Sequence, residues 1–321
     1  MTPEAFRLFR TLADGQPLNG ARYAQAAGTS RAAVWKHVER LRRAGLPVAA
    51  VRGTGYRLPW PVCLLDEDQI RRAGRLDGIG LELRQCVDST NSALLDDFRH
   101  RHALAAEYQD SGRGRRGRGW ISPPGCGVYV SFGYRFDCGL QRLGALSLVA
   151  GVAVAEEVAR AGIAVGLKWP NDLVVADCKL AGLLVEIRGA SEGPCEVVVG
   201  VGVNVRLPRD EVGSGDFTPP DQRWTDLHAA GGDLNRNRLV GGLVTGLDAA
   251  CREFGQSGFG PFAQRWQALD ALCGRHVRVV SGNGAALEGV ADGVTGQGML
   301  RVVHNGNVRE LNAGEVSIRA E

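Results

Sequence analysis

Residues 112–119 read Gly-Arg-Gly-Arg-Arg-Gly-Arg-Gly. Glycine has no Cβ barrier, so such a backbone can wrap a ligand and turn its N–H groups toward it. The four arginine forks then meet anionic oxygens, phosphate above all. The segment lacks the GK[ST] of a Walker loop. With almost no apolar side chain to pack, it is expected to be mobile when empty and ordered over a bound anion. An RGG-like nucleic-acid segment and a passive basic loop are the other readings of such a run. Strand-like stretches at 103–108 and 127–135 flank it and place it inside a folded domain.

Of 38 basic residues only three are lysines, Lys36, Lys168 and Lys179. In a chain that otherwise uses Arg, each Lys marks a place where a compact ammonium is wanted. Lys168-Trp169-Pro170-Asn171-Asp172 and Lys179-Leu180-Ala181-Gly182 set two of them among apolar residues. A lysine at a strand start beside a cavity neutralises a carboxylate or phosphate as charge builds up. The Trp-Pro turn fixes Asn171, an amide for recognition, and Asp172, a carboxylate for a ribose or a metal ion. A capped turn with two solvated lysines is the bland alternative. Gly200-Val-Gly-Val-Asn204 lacks the third glycine and the following helix of a dinucleotide fingerprint. Glycines in a Val-rich strand instead admit a flat ring or another backbone, and Asn204 can meet a base edge; a plain core strand fits equally. Asp88-Ser89-Thr90-Asn91-Ser92 serves as a helix N-cap, or as a hydroxyl and amide cluster that reads a polar ring. The six histidines (37, 100, 102, 228, 276, 304) form no Ser/His/Asp set. What remains is nucleotide chemistry by positioning and charge neutralisation.

These residues need elements to hold them. The 321 residues are 44% hydrophobic and 23% charged, which excludes a disordered or fibrous chain. No apolar run reaches the roughly 18 residues of a membrane span, and residues 1–10 carry no secretory signal. The eight cysteines are scattered, so neither a zinc site nor a disulfide scaffold is expected; reduced thiols in a cytoplasm are. Residues 1–60 hold ten Arg/Lys against three acids, a charge of +7, which leaves −4 for the rest because the chain totals +3. A basic end on an acidic chain points to a polyanion partner for that end alone. Apolar spacing predicts helices at 3–14, 20–27 and 31–44, then a glycine-turned hairpin within 47–57, the pattern of a winged helix. The third helix offers Ser30, Arg31, Ala32, Ala33, Trp35, Lys36 and His37, and the wing adds Arg52, for phosphates and base edges; a merely solvated basic helix is the alternative. Trp60-Pro61 reads as a linker. Helices at 64–74, 90–99, 142–161, 236–254 and 260–270 mix with strands at 81–87, 103–108, 127–135, 163–169, 180–188 and 195–206. They do not alternate one for one, so a mixed sheet is expected. Short alternating runs over 272–321 suit a small antiparallel barrel.

In their order along the chain, Asp88–Asn91, Gly112–Arg118, Lys168–Asp172, Lys179–Gly182 and Gly200–Asn204 resemble biotin protein ligases. With the winged helix ahead of them, the chain resembles the bifunctional type that also represses the biotin operon. The resemblance covers essentially the whole chain. It implies a multidomain α+β protein: a winged helix-turn-helix in 1–61, a catalytic biotin/ATP domain of class II aminoacyl-tRNA synthetase-like, biotin/lipoate ligase type in 65–268, and an SH3-like barrel in 270–321. It implies attack of the biotin carboxylate on ATP, with Mg²⁺, to give biotinyl-5′-AMP. A lysine of the biotin carboxyl carrier protein of acetyl-CoA carboxylase then takes the biotin. By this resemblance Lys179, Arg115, Arg118 and Lys168 would serve the chemistry. Ser89, Thr90, Asn91, Gln109, Arg113, Gly114, Arg115 and Lys179 would hold biotin. Arg118, Trp120, Asn171, Asp172, Asn204 and Trp224 would hold the nucleotide, and Asp172 a Mg²⁺. Operator DNA would be the partner of the basic end, and adenylate binding would favour a homodimer. Asp110-Ser111 before the loop and Gly119 after it depart from the family pattern, which bears on loop mobility and the dimer edge. Three other functions fit parts of the pattern: a ligase without repression, a non-catalytic ligand-sensing regulator, and lipoate ligation.

Overall fold

The computed structural model describes residues 1–208, 223–232, 235–281, 286–312 and 316–320. Thr2 caps helix α1 (Pro3–Leu12) by accepting the Ala5 N–H, and a proline opens its first turn. Asn19 caps α2 (Gly20–Ala26), and Ser30 caps α3 (Arg31–Arg43). Val34, Val38 and Leu41 stack on one side of α3 and pack with Phe6, Leu8, Phe9 and Leu12 in a core of their own. The wing is the hairpin of β1 (Ala49–Val51) and β2 (Gly55–Arg57). Gly55 has φ +130°, and a Cβ there would stand 2.0 Å from the Leu18 carbonyl oxygen. Glycine is therefore required where Tyr56 pairs with Leu18 and fastens the wing to the helices.

The linker is clamped rather than loose. Arg236, at the start of α7 (Arg236–Ser257), is almost fully buried and pairs with Glu107 at 2.7 Å. It also donates to the carbonyls of Cys63 and Gly127, while Glu107 accepts the Leu65 N–H and Asn237 exchanges bonds with Leu64 and Asp66.

The central domain is a seven-stranded sheet in the order β3 (Gly80–Val87), β4 (His102–Gln109), β5 (Gly127–Phe136), β9 (Cys195–Asn204), β8 (Cys178–Gly189), β7 (Asp172–Val175), β6 (Gly166–Lys168). β3 and β4 run parallel and every other pair antiparallel, so the sheet is mixed, as the strand and helix order predicts. Alternate residues face opposite sides. Val128, Val130, Val199, Val201 and Leu183 share a core with α6 (Leu146–Arg160), α7 and α8 (Gly260–Leu269). The other face is covered over β4, β5 and β9 by the short α5 (Thr90–Asp96), through Leu94, Leu95, Leu104 and Val198. Gly200 lies under Asn91 of α5, and Gly182 and Gly202 lie beyond it under Trp120.

The C-terminal residues pair as a five-stranded antiparallel sheet, β13 (Asn307–Leu311), β12 (Leu300–His304), β11 (Ala286–Val294), β10 (His276–Ser281), β14 (Val316–Ala320). This sheet grips the domain before it: the Trp169 indole donates to the Gly298 carbonyl at 3.0 Å.

Some elements are shorter than the periodicity suggests. The helix expected from 64 starts after Asp66, which caps α4 (Glu67–Gly74), because Leu64 and Leu65 belong to the clamped linker. Residues 140–143 form a separate 3₁₀ turn before α6, and α5 ends at Asp96. Of the apolar run 163–169 only Gly166–Lys168 pairs, so Lys168 closes a strand rather than opening one. Among the described residues no helix is long and apolar enough to cross a membrane.

Candidate active site and its relatives

Register builds the floor of the site. Gly182 on β8 lies opposite Gly202 on β9, and Gly200 lies opposite Ser131 on β5. A Cβ on Gly202 would meet the Trp120 indole at 2.4 Å, and one on Gly182 would meet it at 3.0 Å. The glycines thus admit a flat ring, as the strand motif suggests, and the ring is the chain's own Trp120.

At one end of this floor stands a closed polar network. Ser89 caps α5, which presents Thr90 and Asn91 inward, both nearly inaccessible to solvent. The Thr90 N–H and hydroxyl both donate to Gln109 Oε1, at 2.9 and 3.1 Å, and Gln109 Nε2 donates to Ser122 Oγ at 2.8 Å. Ser131 contacts Thr90 Oγ1 at 2.8 Å and Asn91 Oδ1 at 2.6 Å. Ser131 and Ser122 were not among the residues singled out from sequence. Ser131 is fully buried in the run Val130-Ser131-Phe132, and a lone hydroxyl in an apolar strand was the available signal.

Over the floor bends the arginine loop. The Gly114 N–H donates to the Arg118 carbonyl and the Trp120 N–H to the Gly112 carbonyl, each at 2.7 Å, while Arg116 and Gly117 take positive φ. Arg113 donates to Ser92 Oγ at 3.0 Å and to the Glu186 carboxylate. Arg115 turns the other way and donates to Asn171 Oδ1 at 3.2 Å. Burial and the nearby Arg116 pull its pKa below the ordinary arginine value. Arg116 and Arg118 are exposed.

The far end gathers the rarer cations. Lys179 Nζ lies 2.7 Å from Asp172 Oδ1 and 5.4 Å from the centre of the Trp120 ring. Lys168 pairs with Asp172 across β6 and β7, and burial lowers its pKa. Asn171 is locked to β8 by two bonds with Leu183, at 2.7 and 2.9 Å. The Lys179 backbone pairs with residues 223 and 225, which seats Trp224 beside the lysine, and Asn204 donates to the Thr225 carbonyl at 2.9 Å. Of the polar stretch 208–226 that holds Trp224, residues 209–222 lie outside the described residues. Hydroxyls and amides at one end, an indole between, and cations with amides at the other make a cleft suited to a polar ring joined to a phosphate.

Comparison with known proteins agrees. Residues 83–204 match the model of the Biotin/lipoate A/B protein ligase family, 5–57 that of an HTH domain, and 272–319 that of the Biotin protein ligase C terminal domain. The Bifunctional ligase/repressor BirA of Escherichia coli (strain K12) is 38% identical over 98% of this chain and 97% of its own. Its Bacillus subtilis (strain 168) counterpart is 31% identical over 94% of each. The chain belongs to the bifunctional ligase/repressor family. In fold it resembles the biotin protein ligase from Aquifex aeolicus in complex with biotin and ATP, with TM-score 0.62, 25% identity, and 75% of this chain and 99% of that one covered.

The residues expected from sequence to meet DNA lie on α3 and the wing. Arg31, Ala32, Trp35, Lys36, Arg40 and Arg43 are exposed, Trp35 to 53%, and Arg52 is exposed on the wing. Ala33 and His37 are partly covered, and burial with the neighbouring Arg40 lowers the His37 pKa. The Ser30 hydroxyl is committed to the cap, 3.1 Å from the Ala33 nitrogen.

Proposed function

We propose that the chain is an ATP-dependent biotin protein ligase and a biotin-responsive repressor, built of units 1–61, 65–268 and 270–321. The observation that carries the reading is the convergence of Arg115, Lys179, Asn171 and Asp172 at one end of a glycine floor whose other end is the Thr90–Gln109–Ser131 network. Ser89, Thr90, Gln109 and the Gly114 backbone hold the biotin ring. The acyl chain runs along Trp120, which Gly182 and Gly202 seat. Lys179 meets the carboxylate as it attacks the α-phosphate of ATP. The arginine loop, through Arg115 and Arg118, spreads the charge of the mixed anhydride and the departing pyrophosphate, with Lys168 nearby. Asn171, Asn204 and Trp224 face the nucleotide. An amine of the carrier protein then attacks the acyl carbonyl and AMP leaves.

Among the described residues no three His, Cys, Asp or Glu side chains cluster for a metal. Asp172, paired with Lys179 at 2.7 Å, is the carboxylate that would hold a Mg²⁺ carried in with the ATP phosphates. There the ion would offset triphosphate charge. Homodimerisation on adenylate binding and a cytoplasmic setting complete the proposal.

The test mixes protein, ATP, Mg²⁺, biotin and a carrier domain and reads the intact mass of the carrier; no added biotin refutes the enzyme. Gel shifts on a biotin-biosynthesis promoter, with and without biotin and ATP, test the repressor. A shift that ignores the ligands refutes it.

A further inference from the structure

The carboxylate of Glu186, on β8, joins two parts of the site that nothing in the motifs connects. Its Oε2 accepts Asn91 Nδ2 at 2.9 Å, and its Oε1 accepts the Arg113 guanidinium, which also donates to Ser92 Oγ at 3.0 Å. Asn91 is fully engaged. Its other amide proton goes to the Leu184 carbonyl at 3.0 Å, its Oδ1 accepts from Ser131, and a Cβ on Gly200 would lie 2.1 Å from that oxygen. Both Asn91 donors are spent inside the protein, so Asn91 frames the pocket instead of reading the ligand through them. Arg113, likewise engaged, fastens the first residues of the loop to α5 and β8, and Arg115 at the next turn reaches Asn171 on the opposite side.

We infer that Glu186 is a positioning residue that ties the arginine loop to the wall of the biotin pocket, so that the loop stays closed over the adenylate. The inference rests on the ligase reading. The bond is partly exposed, 43% for Arg113 and 26% for Glu186. A solvated pair of this kind couples its partners by about twofold to fivefold, not by orders of magnitude.

The test is a double-mutant cycle on adenylate release. Labelled biotinyl-5′-AMP formed on the full-length protein is chased with unlabelled adenylate, for wild type, Glu186→Gln, Arg113→Gln and the double variant. Glutamine keeps an acceptor for Asn91 and removes the charge that Arg113 needs. Each single variant should release the adenylate about twofold to fivefold faster, the double no faster than Arg113→Gln, and KM for biotin should stay at the wild-type value in Glu186→Gln. Single effects that multiply in the double variant overturn the role, as does wild-type release by Glu186→Gln or a raised KM for biotin in that variant. A wild-type protein that forms no adenylate overturns the ligase reading instead, and the role with it.

Discussion

Gly202→Ala is the sharpest perturbation of the site. The new Cβ would stand 2.4 Å from Trp120 Cε2, 2.6 Å from Nε1 and 2.7 Å from Cζ2. Carbon atoms rest at about 3.5–4.0 Å, so the ring must retreat by roughly 1 Å. The strand cannot yield for it, because Gly202 is paired with Tyr129 on one side and Gly182 on the other. The indole moves, and with it the face above which Lys179 sits, which strains the Trp120 backbone N–H bond that closes the loop on the Gly112 carbonyl. Overpacking of this kind costs about 1–3 kcal/mol of stability. A shift of about 1 Å in positioning groups costs about 100-fold in rate. Biotin-dependent ATP–pyrophosphate exchange should therefore lose about two orders of magnitude in kcat/KM while the protein still melts cooperatively. Trp120→Phe, which removes half of the ring, should return part of the loss when combined with it. Exchange within about threefold of wild type, a barrier change of only ~0.6 kcal/mol, would refute the idea that these glycines exist to seat the ring.

Two further outcomes follow from buried charge. Arg236→Met leaves the Glu107 carboxylate buried with only the Leu65 N–H, and breaking such a pair costs about 3–5 kcal/mol. At about 2–4 °C per kcal/mol the melting temperature should fall by roughly 6–20 °C, and Glu107→Gln added to it should return part of the drop; an unchanged melt would mean that the clamp is idle. His37 has its pKa held below the ordinary value by burial and by Arg40. The unfolded chain therefore takes up the proton first as pH falls, and stability is lost below about pH 6.5. His37→Gln should remove that part of the acid sensitivity, read as the difference in urea midpoint between wild type and variant at about pH 7.5 and about pH 5.5; equal sensitivity would contradict it.

The winged helix was legible because its signals are local: apolar spacing in three short helices, a single apolar face on α3, and glycines that turn the hairpin. The arginine loop and the lysines were legible by rarity of type. Register was not legible. Only pairing shows that Gly182 meets Gly202, or that Gly200 leaves room for the Asn91 amide, because a neighbour on β8 or α5 lies far away in sequence. For the same reason Ser131 and Glu186 stayed hidden: each sits between apolar neighbours in its strand, and its role depends on what crosses it. The Glu107–Arg236 clamp spans 129 residues, and no spacing rule reaches so far.

The absence of a His-centred triad is chemically consistent rather than a gap. A carboxylate is already ionised at neutral pH, so the first nucleophile needs no base. The barrier is the approach of one anion to another, and positive charge fixed in advance lowers it without reorganisation. Guanidinium groups suit this position because they begin so far above neutrality that burial leaves them charged. The lowered pKa of Arg115 thus measures removal from water, not loss of charge. An ammonium is easier to discharge on burial. Lys179, proposed above to meet the attacking carboxylate, has the Asp172 carboxylate at 2.7 Å, a counter-charge held in place until the ligand's own anions arrive.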